Sequence, residues 1–331
     1  MKQVEDALRK EVAKLFEEKK VDIFVGHEAA SLPLKTSACF VRSSEGVDRL
    51  VWNRSCAANL AAYLPQLFKR PPGLKGAWTP PKVGVVVKGC DSRSIVGLIK
   101  EKQIPRDRLF VIGIGCEGMI DRHKVARALG TAGLAEAKID ETAVQAIGTD
   151  GTEKQIDIAE ALAASCQECQ HRQAVLADLA LNEASASPAE VSRYANVAEF
   201  EDKSPDERFE HLVTELSRCI RCYACREACP NCYCEECFAE ETTPKWLGVT
   251  TDLPDVVFFH LGRAFHQAGR CVDCGACVAA CPQGIDLRLL NQKINKDVEE
   301  LFGAEASLSL EEAGVLCSFR MEDDQSFMTE P

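Results

Sequence analysis

Two copies of one cysteine motif constrain this chain more than any other feature of its sequence. Both copies read C-x2-C-x2-C-x3-C-P, the first beginning at Cys219 and the second at Cys271. Three thiolates on such a tight loop reach three irons of one cubane, and the fourth cysteine points to the other cluster. The motif therefore predicts two [4Fe–4S] clusters. The expected ligands are Cys219, Cys222, Cys225 and Cys281 for the first cluster, and Cys271, Cys274, Cys277 and Cys229 for the second.

Zinc sites and disulfides are the alternative explanations for so many cysteines. The chain has 18 cysteines among 331 residues. A structural zinc site takes four ligands, usually in two pairs, which the doubled motif does not resemble. Disulfides are typical of exported proteins, but residues 1–20 read as an amphipathic helix with no signal-peptide core. The pattern favours metal binding over both alternatives.

Charge and hydropathy narrow the class of protein further. The net charge is −12, which argues against a nucleic-acid surface, since that would need a basic face. No segment approaches the roughly 18 consecutive apolar residues of a membrane span. We therefore expect a cytoplasmic protein with no membrane span and no nucleic-acid partner.

The pattern of apolar runs predicts two folded parts. Short strands at 21–25, 38–42, 83–88 and 109–114, with helices after the last two, indicate an α/β domain with parallel-type strand–helix units. Polar, small residues then suggest a linker. We expect an α/β domain at 1–182, a linker at 183–205, an α+β or helical dicluster ferredoxin-like domain at 206–290, and a C-terminal helix with an acidic tail at 291–331. The tail is expected to lie on a partner or to be mobile.

Four more cysteines suggest a third cluster. Cys90 and Cys116 each lie where a predicted strand ends and a helix begins, and such turns meet at the carboxyl edge of a parallel sheet. Cys166 and Cys169 supply a further C-x2-C pair. Together these residues offer four thiolates, enough for one more [4Fe–4S] cluster.

At this point the chain resembles a known family, the beta subunits of deazaflavin-reducing hydrogenases and formate dehydrogenases. The family's T-P-C turn is similar to residues 89–91, and its F-C-x-G turn is similar to residues 115–118. Its C-x2-C-x-D segment, which runs into L-A-D-I-S, is similar to the stretch from Cys166 to Ala180. The resemblance covers about residues 80–182. Two departures are Gly89 in place of the proline and His171 in place of the aspartate. The ferredoxin-like module also follows the flavin domain here, whereas in many relatives it precedes it.

The resemblance implies an FAD beside the third cluster, with hydride exchanged at the flavin. Lys88, Ser92 and Arg93, with the N-terminus of the following helix, are candidates to hold its pyrophosphate. A surface lysine and a helix cap (Asp91 or Ser92) explain these residues nearly as well. The candidate cofactor-binding residues are Lys88, Gly89, Ser92, Arg93, Gly113, Gly115 and Gly118. No catalytic residue can be named.

The three glycines from Gly113 to Gly118 also match the G-x-G-x-x-G fingerprint of dinucleotide-binding folds. A cysteine occupies that loop, however, and the acidic residue at about the right distance, Asp140, follows AEAKI, which we interpret as a poor strand. We therefore expect these glycines to let the backbone approach a cluster or a flavin.

The remaining cysteines and histidines receive no ligand role. Cys232, Cys234 and Cys237 lack a fourth ligand nearby, so we interpret them as structural or partner-facing thiols. The isolated Cys39, Cys56 and Cys317 are interpreted as small buried residues. His260 and His266 lie on an apparent helix, where packing or hydrogen bonding near a cluster is the preferred interpretation.

The sequence thus predicts an oxidoreductase subunit that passes electrons between a hydride carrier at the flavin and a partner subunit. The hydride carrier is expected to be a deazaflavin or NAD(P)H. The partner is expected to be a catalytic or electron-bifurcating redox subunit of a formate dehydrogenase-, hydrogenase- or heterodisulfide reductase-like complex. An anaerobic host is consistent with this chemistry. The alternative is a flavin-free [4Fe–4S] relay between two other subunits.

Overall fold

The N-terminal half of the chain contains both helices and strands. The computed structural model describes residues 1–184, 193–315 and 321–322. Up to residue 184 the strands are β1 (Ile23–Ala29), β2 (Thr36–Val41), β3 (Val83–Val87), β4 (Leu109–Gly113), β5 (Leu134–Ile139), β6 (Ala143–Gly148), β7 (Glu153–Asp157) and β8 (Leu179–Ala180). The helices are α1 (Lys2–Glu17), α2 (Leu64–Phe68), α3 (Gly89–Lys100), α4 (Arg122–Leu129), α5 (Ile158–Ala161) and α6 (Ala164–Gln167).

The larger sheet has the strand order β2-β1-β3-β4-β8. Strands β1, β3, β4 and β8 run parallel, and only the edge strand β2 is antiparallel. All five residues of β3 are buried, as expected for a parallel strand covered on both faces. Leu8, Val12 and Leu15 of α1 pack into the same core. The predicted α/β fold with a parallel sheet is confirmed.

The turns that carry Cys90 and Cys116 differ in detail from expectation. Helix α3 begins at Gly89, so its N-cap is Lys88, and the expectation that Asp91 or Ser92 caps the helix is wrong. The Asp91 carboxylate instead accepts a hydrogen bond from the Lys88 backbone N–H, at 3.1 Å. Cys90 therefore lies in the first turn of α3, whereas Cys116 lies in an irregular loop well before α4.

A second, antiparallel sheet of three strands, β5-β6-β7, was not expected from the sequence. The interpretation of AEAKI as a poor strand is wrong, because these residues form most of β5. This edge strand exposes Glu136 and so lacks a clear alternation of apolar and polar residues. Asp140 closes the β5–β6 turn by accepting hydrogen bonds from the backbone N–H groups of Thr142 and Ala143, at 2.9 and 2.7 Å.

The C-terminal half consists of helices joined by cysteine-containing loops. Part of the segment predicted as a linker is a helix, whose Val197 and Phe200 are buried against Leu289. The next helix begins with a capping box between Ser204 and Glu207. The helices here are α7 (Ala195–Glu201), α8 (Pro205–Leu216), α9 (Ala224–Glu227), α10 (Leu253–His266), α11 (Ala276–Ala280) and α12 (Arg288–Phe302).

After α12 the chain returns to the N-terminal domain. Arg93 of α3 donates to the backbone carbonyl of Ala306 from Nε and Nη2, at 3.1 and 2.6 Å. Glu305 forms ion pairs with Arg93 and Arg193, at 2.9 and 2.8 Å. Most of the predicted acidic tail, together with Cys317, lies outside the described residues. None of the described helices is long and apolar enough to cross a membrane.

Candidate metal and cofactor site

The two copies of the cysteine motif fold into loops with the same backbone pattern. Arg221 and Tyr223 in the first copy have φ values of 49° and 59°, and Asp273 and Gly275 in the second have 55° and 71°. Each loop therefore enters the left-handed region at its third and fifth positions, where only glycine is unstrained. A short helix follows each loop, α9 or α11, and the two helices contact each other.

The structure brings the first predicted ligand set together. The thiols of Cys219 and Cys225 are each close enough to the Cys281 thiol to interact with it electrostatically. All four members of the set line one small cavity. The backbone N–H of Arg221 donates to the Cys219 Sγ at 3.3 Å. Amide donors aimed at sulfur in this way stabilise a cluster's thiolates.

His260 supplies a further contact to the first set. Its Nε2 lies 3.3 Å from the Sγ of Cys219, a predicted cluster ligand, in agreement with the expectation of hydrogen bonding rather than ligation. Burial, followed by the positive charges of Arg263 and Arg221, lowers the pKa of His260 to about 4, so its imidazole is neutral near pH 7. His266 packs edge-on against Phe238, with ring centroids 4.9 Å apart.

The second set is also close together. The thiols of Cys274 and Cys277 lie within electrostatic reach of Cys271, and burial raises the pKa of Cys271 to about 12. Cys229 and Cys277 both face the guanidinium of Arg263. A cluster binding here would have to displace protons from these buried thiols, because only thiolates ligate iron.

The four cysteines predicted for a third cluster converge as well. Cys116 lies within electrostatic reach of Cys166 and Cys169, and Cys90 lies within reach of Cys116. Gly118 donates its backbone N–H to the Cys116 Sγ at 3.4 Å, and Met119 donates to the Cys166 Sγ at 3.3 Å. The N–H···S pattern of the ferredoxin-type loops thus recurs here.

The third set and the loops of the two cysteine motifs line one shared cavity of about 920 Å³. Its wall includes the four cysteines of the third set and, from the other two sets, Cys274 and Cys281. Cys274 lies within electrostatic reach of Cys90. The cavity is also rich in cationic and imidazole groups, namely Lys35, Lys88, Arg93, Arg122, His123, Lys124, Arg127, His171, Arg172, Arg193 and Arg288.

Of the predicted flavin-binding residues, Lys88, Gly89, Arg93 and Gly118 line this cavity, whereas Ser92, Gly113 and Gly115 do not. Lys88 is buried and pairs with the Asp91 carboxylate at 2.8 Å. Its ammonium also donates to the carbonyls of Cys56 and Ala58, at 3.0 and 2.9 Å, and the Ser92 hydroxyl donates to the Gly89 carbonyl at 2.8 Å.

Packing within the chain explains two of the predicted glycines. A Cβ at Gly89 would lie 1.9 Å from the carbonyl oxygen of His171, and one at Gly115 would lie 2.3 Å from the backbone nitrogen of Ala184. The close approach at these positions is therefore made by the segment that leads into and follows β8. A binding role for both glycines stays a prediction.

The cysteines outside the three sets are placed differently from one another. Cys232 lies beside Cys229 and receives a contact from the Gln267 amide at 3.8 Å, whereas Cys234 is exposed. Cys39 and Cys56 are buried, and burial raises the pKa of each to about 11. Cys237 is half-buried against a hydrophobic cluster that includes Val256 and Phe259 of α10. None of the cysteines that the structure describes forms a disulfide.

Sequence reasoning missed the ion pairs that join the two halves of the site. Arg288 of α12 pairs with Asp273, inside the second motif, at 2.6 Å. The same guanidinium pairs with Glu168, between Cys166 and Cys169, at 2.5 Å. In the sequence these residues stand out only by their charge. Charged residues at helical spacing usually indicate a helix face exposed to solvent, so nothing in the sequence predicts buried ion pairs.

No group of three His, Cys, Asp or Glu side chains within the described ranges is arranged to hold a single metal ion. The cluster ligand assignments therefore stay predictions that depend on the motif, the loop geometry and the proximity of the thiols.

The fold and the site define a class of protein: a parallel-sheet domain with four clustered cysteines, followed by a segment with a doubled cysteine motif. Residues 81–195 match the family model that describes the C terminus of the coenzyme F420 hydrogenase/dehydrogenase beta subunit. This part of the chain is similar to that beta-subunit family, and the resemblance predicted from the sequence is confirmed.

Two curated relatives are described as beta subunits of F420-dependent formate dehydrogenases. The chain is 24% identical over 277 residues to the "F420-dependent formate dehydrogenase subunit beta" of Methanocaldococcus jannaschii, covering 67% of this chain and 73% of the relative. It is 23% identical over 246 residues to the "F420-dependent formate dehydrogenase 1 subunit beta" of Methanococcus maripaludis, covering 56% and 63%. A solved structure of the F420-reducing [NiFe] hydrogenase complex from Methanosarcina barkeri matches with a TM-score of 0.34 and 14% identity, over 49% of this chain and 57% of that one.

Proposed function

We propose that this protein is an iron–sulfur, FAD-containing electron-transfer subunit of an oxidoreductase complex. Electrons pass between a hydride carrier at the flavin and a partner subunit, by way of three [4Fe–4S] clusters. The third set (Cys90, Cys116, Cys166, Cys169) holds the cluster nearest the flavin. The two ferredoxin-type sets hold the others.

The observation that carries this proposal is the adjacency of Cys90 and Cys274. These residues belong to different sets, yet their thiols lie within electrostatic reach and line the same cavity. Clusters held by the two sets would be neighbours. The first set is the one nearest the surface, since Cys222 is exposed and Ile220 beside it is 53% exposed. Electrons would leave or enter there through a partner subunit.

The shared cavity fits a flavin in size and in charge. Its volume of about 920 Å³ is within the range of about 300–1,000 Å³ typical of small-molecule and cofactor sites. Lys88, Gly89, Arg93 and Gly118 lie on its wall, and cationic groups there would offset a pyrophosphate. A bound flavin supplies the conversion between a two-electron hydride and the single electrons that a cluster carries.

The names of the relatives suggest which hydride carrier and which partner subunit this protein uses. Both curated relatives are described as F420-dependent formate dehydrogenase beta subunits. We take a deazaflavin as the first candidate hydride carrier and NAD(P)H as the second. The partner would be a catalytic or electron-bifurcating redox subunit, formate dehydrogenase-, hydrogenase- or heterodisulfide reductase-like.

One observation favours a second candidate, a flavin-free relay between two other subunits. Lys88, Ser92 and Arg93 each make hydrogen bonds within the protein, and two of the predicted glycines pack against the chain itself. These residues are thus explained without a flavin. The size and charge of the shared cavity favour the flavoprotein.

Metal and flavin content of protein purified without oxygen tests the proposal. Three cubanes and one flavin require about twelve irons, about twelve acid-labile sulfides and one FAD per chain. With that result, the rate of cluster reduction by reduced deazaflavin, NADH and NADPH identifies the hydride carrier. About eight irons without flavin would instead support the relay, and fewer than eight would contradict both candidates.

A further inference from the structure

Arg263 of α10 is a buried cation in the middle of the ferredoxin-like region. It is 5% exposed, although its helix presents Phe258 and Phe265 to solvent on other faces. Its Nη2 donates to the backbone carbonyl of Cys225 at 3.0 Å. Its Nε is buried and has no hydrogen-bond partner.

The groups that face this guanidinium are thiols from both ferredoxin-type sets. Cys225 belongs to the first set, and Cys277 and Cys229 belong to the second. All three, and Cys232 as well, lie within electrostatic reach of Arg263. Burial alone would lower the pKa of Arg263, but the neighbouring cysteines outweigh burial and raise this pKa above its usual value.

Other buried arginines of this protein have carboxylate partners. Arg288 pairs with Asp273 and Glu168, Arg93 pairs with Glu305, and Arg221 lies 3.8 Å from Asp255. Within the described ranges no carboxylate lies within ion-pair distance of Arg263. A buried charge without a counter-ion destabilises the folded protein. Arg263 therefore needs an anion, and the groups that surround it become anionic when they ligate iron.

We propose that Arg263 is the shared counter-ion of the two ferredoxin-type clusters and raises the reduction potential of both. Reduction adds one electron to a cluster and no proton, so the reduced cluster is more negative by one charge. A fixed cation in a low-dielectric interior stabilises that form most. Arg263 is a positioning residue, not a catalytic one, and the proposal depends on the two clusters of the proposed function.

The test compares Arg263→Gln, which removes the charge, with Arg263→Lys, which keeps it, in the full chain purified without oxygen. Arg218→Gln is the control, because Arg218 adjoins Cys219 but its side chain is 44% exposed and pairs with Glu215. Redox titrations followed by electron paramagnetic resonance give the potential of each cluster. We expect both potentials to fall in Arg263→Gln, to fall less in Arg263→Lys, and to remain near wild type in Arg218→Gln.

Loss of both clusters in Arg263→Gln with retention in Arg263→Lys would also support the proposal, because the charge would then be required for assembly. Unchanged potentials, a shift in only one cluster, or equal cluster loss in the two Arg263 variants would overturn it. The iron content of the wild-type protein distinguishes a failure of the proposed function from a failure of this proposal. If the proposed function is wrong, the wild-type protein itself lacks the eight irons of the two ferredoxin-type clusters.

Discussion

Gly275 and Ser165 approach each other so closely that no side chain fits between them. A Cβ built on Gly275 would lie 2.4 Å from the Ser165 Oγ. Gly275 follows Cys274 of the second set, and Ser165 precedes Cys166 of the third. The contact therefore joins the loop of the second cysteine motif directly to helix α6, which carries Cys166 of the third set.

Substituting Gly275 tests this contact. Gly275→Ala combines the strain of a φ of +71° with a steric clash, whereas Gly130→Ala has a φ of +73° and open space around its Cβ. The strain alone costs about 1–2 kcal/mol. We expect the thermal unfolding midpoint to fall in both variants and to fall clearly further in Gly275→Ala. Equal decreases would mean that the contact with Ser165 is not tightly packed.

Removing Cys116 tests the third ligand set. Cys116→Ala is expected to lower the iron content from about twelve to about eight per chain, because the loss of one ligand usually prevents a cubane from assembling. Cys39→Ala is the matched control, since Cys39 is a buried thiol outside every set. Iron and sulfide assays compare the two proteins. An unchanged iron content in Cys116→Ala would exclude Cys116 as a ligand.

His260 is predicted to tune the first cluster alone. In the tautomer with the proton on Nε2, His260 donates to the Cys219 Sγ at 3.3 Å and stabilises negative charge on that sulfur. His260→Leu should therefore lower the potential of the first cluster and leave the second near its wild-type value. His266→Leu, on the same helix, should change neither. A shift of both clusters in His260→Leu would point to a general disturbance of α10.

The buried pair of Lys88 and Asp91 is predicted to be a major contribution to stability. Both side chains are almost fully buried, and Lys88→Met would leave the carboxylate without its partner, at a cost of about 3–5 kcal/mol. The double variant Lys88→Met/Asp91→Asn should recover part of this lost stability, because neither position then carries a buried charge. Thermal unfolding midpoints of the single and double variants measure the difference. If the double variant is the less stable of the two, buried charge is not the cause.

Glu305 is predicted to hold the segment after α12 against α3. Burial raises the pKa of its carboxyl, but His171, Arg93 and Arg193 outweigh burial and lower this pKa to about 2. Since the folded-state pKa lies below the unfolded value of 4.5, this contribution is complete above pH 4.5 and is lost as the pH falls towards 2. Near pH 8, Glu305→Gln should cost about 1–2 kcal/mol.

Hydrogen exchange gives a local measurement of the same contact. The backbone amides of residues 304–307 should exchange faster in Glu305→Gln than in wild type. Glu312→Gln is the control, because Glu312 is exposed and makes no ion pair that the structure describes. Equal protection in all three proteins would show that the segment is held by Arg93 and the Ala306 carbonyl alone.

The sequence predicted those parts of the site whose pattern is local. The run from Val83 to Val87 is apolar throughout, so β3 and the turn at Cys90 could be expected from the order of residues alone. Likewise, the doubled motif predicted two ligand sets, and the structure brings the cysteines of each set close together. In contrast, β5 exposes Glu136 and Lys138 and reads as neither strand nor helix, because an edge strand depends on its neighbour for stability.

The roles of Arg263 and Arg288 could not be predicted for a different reason. Each arginine lies in a helix whose sequence shows no unusual charge pattern. Its role depends on which residues, distant in the chain, pack against its side chain. Arg288 meets Glu168 from 120 positions away in the chain, and Arg263 meets Cys225 from 38 positions away. Contacts of this kind depend on the tertiary fold, and a single sequence carries no record of them.

The bridge from Asp273 through Arg288 to Glu168 has a kinetic consequence. An electron carrier on a mobile domain has to swing between donor and acceptor, and solvent friction then limits the rate. Here a buried guanidinium fixes the second ligand set against the third, so no swinging motion is needed between them. Passage of an electron across this junction should therefore be insensitive to the viscosity of the medium.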